Sequence, residues 1–119
     1  MNTAAALIQE SIHEMIIFTE KLKGKKETVM GLAGVGDLYV SADGGRNSKM
    51  GQYLGQGMPF KKAKKTKMPN DTIEGADLAL EIGTKVKNDF DIKTLPLMIS
   101  IINTICYEKP LETDWKNFK

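Results

Sequence analysis

Apolar side chains recur every three or four residues across residues 3–22, and this spacing constrains the fold more than any other feature of the sequence. The stripe consists of Leu7, Ile8, Ile12, Met15, Ile16 and Leu22. Such a period places the residues on one face of an α-helix, whereas a strand would need strict alternation. We therefore predict one long helix that ends at Gly24. The polar residues predicted to lie mostly off its apolar face are Gln9, Glu10, Glu14 and Lys21.

The rest of the chain carries helical patterns in shorter pieces. One short helix is predicted to end near Met30, and a second short segment of unassigned type covers Asp37–Val40. Further helices are predicted over residues 47–54, 61–67, 72–86 and 97–105. Asp71 with Glu74 forms a possible capping box, and Thr94 is predicted to cap the helix that follows it. Leu38–Val40 is the only candidate strand, and it is short. The sequence therefore predicts an all-α fold with six to eight helices.

Length and composition limit residues 1–119 to one globular domain without strong charge. The hydrophobic fraction is 41%, the charged fraction is 27%, and the net charge is +2. This near-neutral balance gives no strong general attraction to nucleic acid or to a membrane surface. A single cysteine excludes an internal disulfide and is typical of a reducing compartment. Because neither a membrane span nor a signal peptide is recognisable, we predict a cytoplasmic protein.

Common catalytic and cofactor motifs are missing from the sequence. No Gly-x-Gly-x-x-Gly follows a strand, and no Gly-Lys-Ser/Thr loop occurs. His13 has no second His or Cys to complete a metal site, so we predict no metal and a position at the surface or at the edge of the helix. Cys106 lies in an apolar helix and is predicted to be a buried small residue. Lys61–Lys67 contains five lysines, for which a solvated helix face is favoured over contact with a phosphate backbone.

The most informative stretch is rich in glycine. It reads Gly31-Leu-Ala-Gly-Val-Gly-Asp37-Leu and is followed by Gly44-Gly45-Arg46-Asn47. Small residues let the backbone approach another backbone or a ligand. Asp37 can cap a helix or accept a hydrogen bond from a ligand hydroxyl, and Arg46 at a helix start suits a phosphate. A turn with a capping Asp37 and an exposed Arg46 is equally consistent with this spacing.

Several segments together resemble one family. The segment from Gly31 to Asp37-Leu is similar to the Gly-Leu-Ala-Gly-x-Gly-Asp-Leu motif of NAD(P)-dependent glycerol-3-phosphate dehydrogenase. Arg46-Asn47 is similar to its Ser-Arg-Asn motif, and Ile73-Glu74-Gly75 resembles its Val-Glu-Gly motif. Residues 2–8 resemble the Asn-Thr-Lys-Ala-Ala-Leu-Ile helix that opens the second half of that enzyme. The likeness extends, in order and at matching spacing, over nearly the whole chain.

The resemblance implies one half of a two-domain enzyme. In the family, an all-helical C-terminal domain, similar to that of 6-phosphogluconate dehydrogenase, closes over the substrate. The resemblance implies that this chain is that domain without its N-terminal Rossmann domain. Met1 before Asn2 is consistent with an expressed fragment and with a start placed at the domain boundary. The implied reaction interconverts sn-glycerol 3-phosphate and dihydroxyacetone phosphate with NAD or NADP. The residues implied to bind substrate are Asp37, Gly45, Arg46 and Asn47, and those implied to contact the dinucleotide are Arg46 and Glu74.

Two positions depart from the family pattern. Gly45 stands where the family has Ser, so one hydroxyl contact is lost, for which a backbone N–H could partly compensate. Ala4 stands where the family has its catalytic Lys, the proton acceptor for the substrate hydroxyl. No Lys occurs before Lys21, so a shifted alignment does not restore the site; a degenerate homologue and an altered residue both remain consistent with Ala4. We predict that no catalytic residue is retained and that this chain alone does not transfer hydride.

Two other functions remain open. A non-catalytic helical module that binds a phosphorylated metabolite would lose the lysine at position 4 and keep Asp37, Arg46 and Asn47. A nucleic-acid-binding domain would use Lys61–Lys67 and bind a duplex in a salt-dependent way; the main interpretation predicts no nucleic-acid partner. The face left by the missing domain is expected to be apolar, which makes a homodimer a further expectation.

Overall fold

Seven α-helices, and no strand, make up residues 3–118, the part of the chain that the computed structural model describes. The helices are α1 (Thr3–Lys21), α2 (Lys26–Met30), α3 (Asp37–Ala42), α4 (Arg46–Gly55), α5 (Phe60–Lys67), α6 (Glu74–Asp89) and α7 (Pro96–Tyr107). A π-helical turn spans Leu32–Gly36, and 3₁₀ turns span Ile92–Thr94 and Trp115–Asn117. The predicted all-α fold with six to eight helices is confirmed. Met1 and Asn2 lie outside the described residues, and Asn2 is the first residue of the segment that resembles the family.

Helix α7 lies at the centre of the fold and contacts α1, α5 and α6. One buried cluster fills the space between α4, α5, α6 and the end of α7; its members are Met50, Leu54, Phe60, Ala63, Met68, Ile73, Ala76, Ala79 and Ile105. A second cluster joins the end of α6 to the first half of α7; its members are Val86, Leu95, Ile99 and Ile102. Burial of each valine, leucine, isoleucine, methionine or phenylalanine side chain in these clusters contributes roughly 1.5–3 kcal/mol. The fold is therefore assembled around α7. None of the helices within residues 3–118 has the length and apolarity needed to cross a bilayer.

Helix α1 buries two acidic residues that the sequence pattern placed mostly off its apolar face. Glu10 and Glu14 are buried, while Leu22 of the apolar stripe is 64% exposed. The prediction is wrong because α7 covers this flank and presents polar groups to it. The backbone N–H groups of Leu97 and Met98 donate to the Glu14 carboxyl at 2.8 and 2.7 Å. The polarity of its side chains alone therefore does not identify the buried face of α1.

The starts of α6 and α7 lack the local caps that the sequence indicated. The capping box of Asp71 and Glu74 is wrong, because Ile73, which has no side-chain oxygen, immediately precedes α6. The Thr94 cap is wrong as well, because Leu95 occupies the position before α7. Free N–H groups at a helix start need acceptors. Both helices obtain them from side chains that are distant in the sequence.

Candidate functional site

The glycine-rich stretch brings two backbone segments into direct contact. Gly34 is buried in the π-helical turn, and a Cβ added there would lie 2.0 Å from the carbonyl oxygen of Val29. Only glycine fits this close approach of one backbone to another. The turn therefore folds back on the end of α2 and fixes where α3 begins.

Asp37 opens α3 directly after this turn, and the candidate strand Leu38–Val40 is part of the same helix. The side chain of Asp37 is exposed, and its carboxylate makes no hydrogen bond or ion pair with another residue in the range 3–118. A carboxylate in the first turn of a helix is favoured by the helix dipole. Asp37 is thus available to accept a hydrogen bond from a ligand hydroxyl.

Gly45 immediately precedes α4 and has a φ of 98°. Residues with a side chain are strained in this region of φ, whereas glycine is not. The Gly45 carbonyl oxygen accepts the N–H of Lys49 at 3.0 Å, the first bond of the helix. The backbone of this chain therefore suits glycine at the position where the family resemblance implied serine.

Arg46 and Glu74 form an ion pair between the starts of α4 and α6. The Arg46 Nη2 donates to Glu74 Oε1 at 2.6 Å, although the two residues are 28 positions apart in the sequence. Their side chains are 51% and 58% exposed. A surface pair of this kind stabilises the fold by roughly 0.2–1 kcal/mol. Its main consequence is geometric, because it holds the guanidinium at the first turn of α6.

Asn47 makes the second link between these helices. Its Oδ1 accepts the backbone N–H of Gly75 at 3.1 Å and so caps α6 from outside the segment that precedes it. A Cβ at position 75 would lie 3.0 Å from Asn47 Oδ1, which is tighter than ordinary contact. The absence of a side chain at Gly75 therefore leaves room for this cap.

Arg46, Asn47, Glu74 and Gly75 together form what we call the α4–α6 cluster. Three of these four residues were predicted as site residues, and the structure brings them together through two hydrogen bonds. Within residues 3–118, no hydrogen bond links Asp37 to this cluster. Ala4 is exposed in the first turn of α1. Of the candidate site, the α4–α6 cluster is therefore the part whose residues contact one another. Its arginine and the N–H groups at the helix starts suit an anion.

The remaining candidate groups have ordinary structural surroundings. His13 is half-buried on α1. The Cys106 thiol donates to the carbonyl oxygen of Ala79 at 3.2 Å, and burial raises the pKa of this thiol while nearby Lys87 acts in the opposite direction. A raised pKa disfavours the reactive thiolate. Among the described residues, no three His, Cys, Asp or Glu side chains are grouped as a metal site.

The lysine run forms helix α5, with one face buried and the other solvated. Phe60 and Ala63 are buried in the core. The Lys64 ammonium donates to the carbonyl oxygens of Met68 and Pro69 at 3.0 and 3.3 Å, at the end of its own helix. The helix thus has the solvated face that was favoured from the sequence.

Two long-range caps were missed by sequence reasoning. Glu14 accepts hydrogen bonds from the start of α7, and Glu108 Oε1 accepts the N–H of Lys61 at 3.3 Å at the start of α5. These partners are 83 and 47 residues apart, so no local pattern connects them. The sequence did indicate that a distant cap was needed. Pro59 and Leu95, which precede α5 and α7, cannot cap a helix with their side chains.

Comparison with known proteins decides the family. A family model described as the C-terminus of NAD-dependent glycerol-3-phosphate dehydrogenase matches residues 1–115. The chain belongs to this family. The resemblance predicted from the motifs is therefore confirmed. No solved structure matches the chain.

Curated relatives agree with this assignment. A glycerol-3-phosphate dehydrogenase [NAD(P)+] of Agathobacter rectalis is 34% identical over 112 residues, covering 92% of this chain and 32% of that protein. An NADP(+)-dependent glycerol-3-phosphate dehydrogenase of Archaeoglobus fulgidus is 32% identical over 93 residues, covering 74% of this chain and 28% of that protein. A third relative, from Carboxydothermus hydrogenoformans, is 42% identical over 76 residues, covering 62% of this chain and 22% of that protein. The chain thus spans between 22% and 32% of the length of these three relatives.

Proposed function

We propose that this chain is the substrate-binding part of an NAD(P)-dependent glycerol-3-phosphate dehydrogenase, which interconverts sn-glycerol 3-phosphate and dihydroxyacetone phosphate. The observation that carries the proposal is the α4–α6 cluster, which joins two motifs that are 28 residues apart. Both motifs fall within the stretch that matches the family. In this proposal Arg46 binds the substrate phosphate and contacts the dinucleotide, while Asn47 and the Gly45 backbone complete the substrate contacts.

The ion pair prepares Arg46 for that role. A guanidinium has five N–H donors in a planar fork, and only Nη2 is engaged by Glu74. The remaining donors can bind two phosphate oxygens while Glu74 holds the side chain in place. Glu74, as an exposed carboxylate at the same point, is the proposed contact to NAD or NADP. Asp37 is proposed to accept a hydrogen bond from a substrate hydroxyl.

The proton acceptor of the reaction is missing from position 4. Oxidation of the substrate alcohol needs a group that takes its proton while hydride leaves for the nicotinamide. The methyl group of Ala4 can neither take nor return a proton, and general acid–base assistance is worth ~10²–10⁴ in rate. We therefore propose that this chain by itself does not catalyse hydride transfer, and detectable dehydrogenase activity of the purified chain would contradict this.

An exposed apolar face supports a second, dinucleotide-binding domain as partner. Leu32, Tyr39 and Val40 are 90%, 80% and 70% exposed. Beside them lies a groove of about 310 Å³, lined by Ile8, Val35, Leu38, Tyr39, Ala42 and Asp43. Exposed apolar surface of this kind is typical of interaction sites. We propose that a Rossmann domain covers this face, and that in its absence two copies of the chain pair through it.

The cysteine content supports a cytoplasmic location. Cys106 is free, and a thiol that is unpaired and partly buried fits a reducing compartment. We propose that the protein acts in the cytoplasm on this ground.

The binding role is tested by titrating the 119-residue chain with sn-glycerol 3-phosphate while amide chemical shifts are followed by NMR. We expect millimolar affinity, because the partner domain that would supply further contacts is absent. Arg46→Gln should weaken binding about tenfold or more, since a hydrogen bond to a charged group contributes ~1.5–3 kcal/mol. Lys49→Gln is the matched control, because it removes the same charge from an exposed position on the same helix. Equal affinities of the two variants would refute the role of Arg46.

Ala4 gives one reason to keep a second candidate function. A non-catalytic module that senses a phosphorylated metabolite has no need of a proton acceptor, but it does need Arg46 and Asn47. Such a module must bind without a partner domain, so its affinity in the same titration would be micromolar. Millimolar affinity favours the enzyme part, and micromolar affinity favours the module.

A further inference from the structure

Glu10 and Glu14 form a buried acidic pair beneath the start of α7. They stand one helical turn apart on α1 and are only 1% and 2% exposed. Their side chains are hydrogen-bonded to each other. Two ionised carboxylates one helical turn apart inside a protein repel each other, and burial removes the water that would stabilise their charges. The buried arrangement is therefore least favourable when both carboxyl groups are ionised.

The amino end of α7 binds this pair from the opposite side. The Leu97 N–H donates to Glu14 Oε2 at 2.8 Å, and the Met98 N–H donates to Oε1 at 2.7 Å. Because Pro96 at the first helical position has no N–H, these are the first donors that α7 offers. Glu14 thus caps α7 across 83 residues and ties it to α1.

Neighbouring elements add no compensating charge to Glu14. Of the charged side chains in residues 3–118, only Glu10 perturbs Glu14. The titratable groups of α7 are Cys106 and Tyr107, at its far end. His13 stands on α1 itself and is half-buried. Helix α2 and the π-helical turn also pack on α1. The charged residues of α2 are Lys26 and Glu27, and both are exposed.

We propose that Glu10 and Glu14 act as a pH-sensitive latch between α1 and α7, closed by one shared proton and weakened when that proton is lost. With the proton present, the carboxyl group of Glu14 donates to Glu10 while both of its oxygens accept N–H groups of α7. Without it, two buried carboxylates face each other on α1 without water, and movement of α7 away from α1 would let water hydrate both of them. The latch is therefore closed at neutral pH and opens in mildly alkaline solution.

The direction of the pH effect follows from the Glu14 carboxyl. Burial, reinforced by the hydrogen bond with Glu10, raises the pKa of Glu14 from 4.5 to about 8, although the two backbone N–H groups act in the opposite direction. Between these values the native chain keeps a proton that the unfolded chain has released. The stability contributed by the latch thus falls as the pH rises toward 8, by up to a tenfold change in the unfolding equilibrium constant per pH unit.

Urea unfolding of the 119-residue chain between pH 6 and 9 tests the latch. Glu14→Gln removes the titratable proton, keeps one of the two oxygen acceptors for α7 and gains an N–H donor toward Glu10. The loss of the second acceptor lowers stability equally at every pH, so it does not alter the pH dependence. Glu20→Gln is the control, because Glu20 is exposed on the same helix. We expect the unfolding constants of the unchanged chain and of Glu20→Gln to rise at least tenfold more between pH 6 and 8 than that of Glu14→Gln. Equal pH dependence in all three proteins would overturn the proposal.

A direct titration keeps the proposal testable if Glu14→Gln does not fold. The ¹³C chemical shift of the Glu14 carboxyl in the unchanged chain should titrate with a midpoint near 8, and the protection of the Leu97 and Met98 amides from hydrogen exchange should fall at least tenfold across the same midpoint. A midpoint at or below 5, or protection that is constant from pH 6 to 9, would show that no latch exists.

Discussion

Gly34→Ala should disrupt the turn that leads into α3. The new Cβ would lie 2.0 Å from the Val29 carbonyl oxygen and 2.6 Å from its carbonyl carbon and Cα. Non-bonded carbon atoms rest about 3.5–4.0 Å apart, so the two backbone segments would have to separate by roughly 1 Å. Overpacking costs about 1–3 kcal/mol where side chains can move aside. Here both sides of the contact are backbone, so we expect a loss of about 3 kcal/mol, a large share of the ~5–15 kcal/mol that stabilises a domain.

Urea unfolding followed by far-UV circular dichroism measures this loss. Gly44→Ala is the matched control, because no atom lies within 4 Å of its added Cβ and its φ is not positive. At such a position the substitution is expected to be neutral or to stabilise the chain by about 0.4–1 kcal/mol through the unfolded state. If Gly34→Ala were as stable as Gly44→Ala, the close approach of the two backbone segments would be refuted.

Two substitutions test single hydrogen-bonding groups elsewhere in the chain. Thr104→Val should raise the free energy of unfolding by about 1 kcal/mol, because the buried Thr104 hydroxyl has no hydrogen-bond partner among the described residues. A decrease in the urea midpoint would show that this hydroxyl is bonded after all. Asn47→Ala should lower the free energy of unfolding by about 1 kcal/mol, as the loss of a helix cap does, and should speed hydrogen exchange at the Gly75 amide. Exchange at an unchanged rate would argue against the cap.

Most of the helices could be predicted because they carry a local signal, but α3 was not, since the candidate strand Leu38–Val40 lies within it. The spacing of apolar residues located α1 and α6, and Pro96 marked the first turn of α7. The face that each helix buries was harder to predict, because it depends on what packs against it. Glu10 and Glu14 were placed mostly off the apolar face of α1, yet both are buried, and the start of α7 donates hydrogen bonds to Glu14. Patterns of polarity predict where a helix is more reliably than which of its polar residues are buried.

The candidate site could be predicted only in part, because its geometry also depends on contacts between segments that are distant in the sequence. Arg46 was named from its place after the glycine-rich loop, and the family motifs supported it together with Asn47 and Glu74. No local rule connects residues 28 positions apart. The local interpretation of Glu74, a capping box with Asp71, was wrong because the residue before α6 is Ile73. Asn47 provides that cap instead. A capping rule that searches only the four preceding residues cannot find an acceptor supplied by another helix.

The long-range caps explain how the candidate site is positioned. Asn47 caps α6 at Gly75, so the end of α6 that carries Glu74 is fixed to the end of α4 that carries Arg46. The other half of α6 rests on α7 at Gly83, where an added Cβ would lie 2.9 Å from Ile102 Cγ2. Because helices are stiff, the seating of α6 on α7 determines where Glu74 meets Arg46. Close packing in the core therefore sets the geometry of the exposed α4–α6 cluster. A side chain added at Gly83 should disturb the Arg46–Glu74 ion pair although it contacts neither residue.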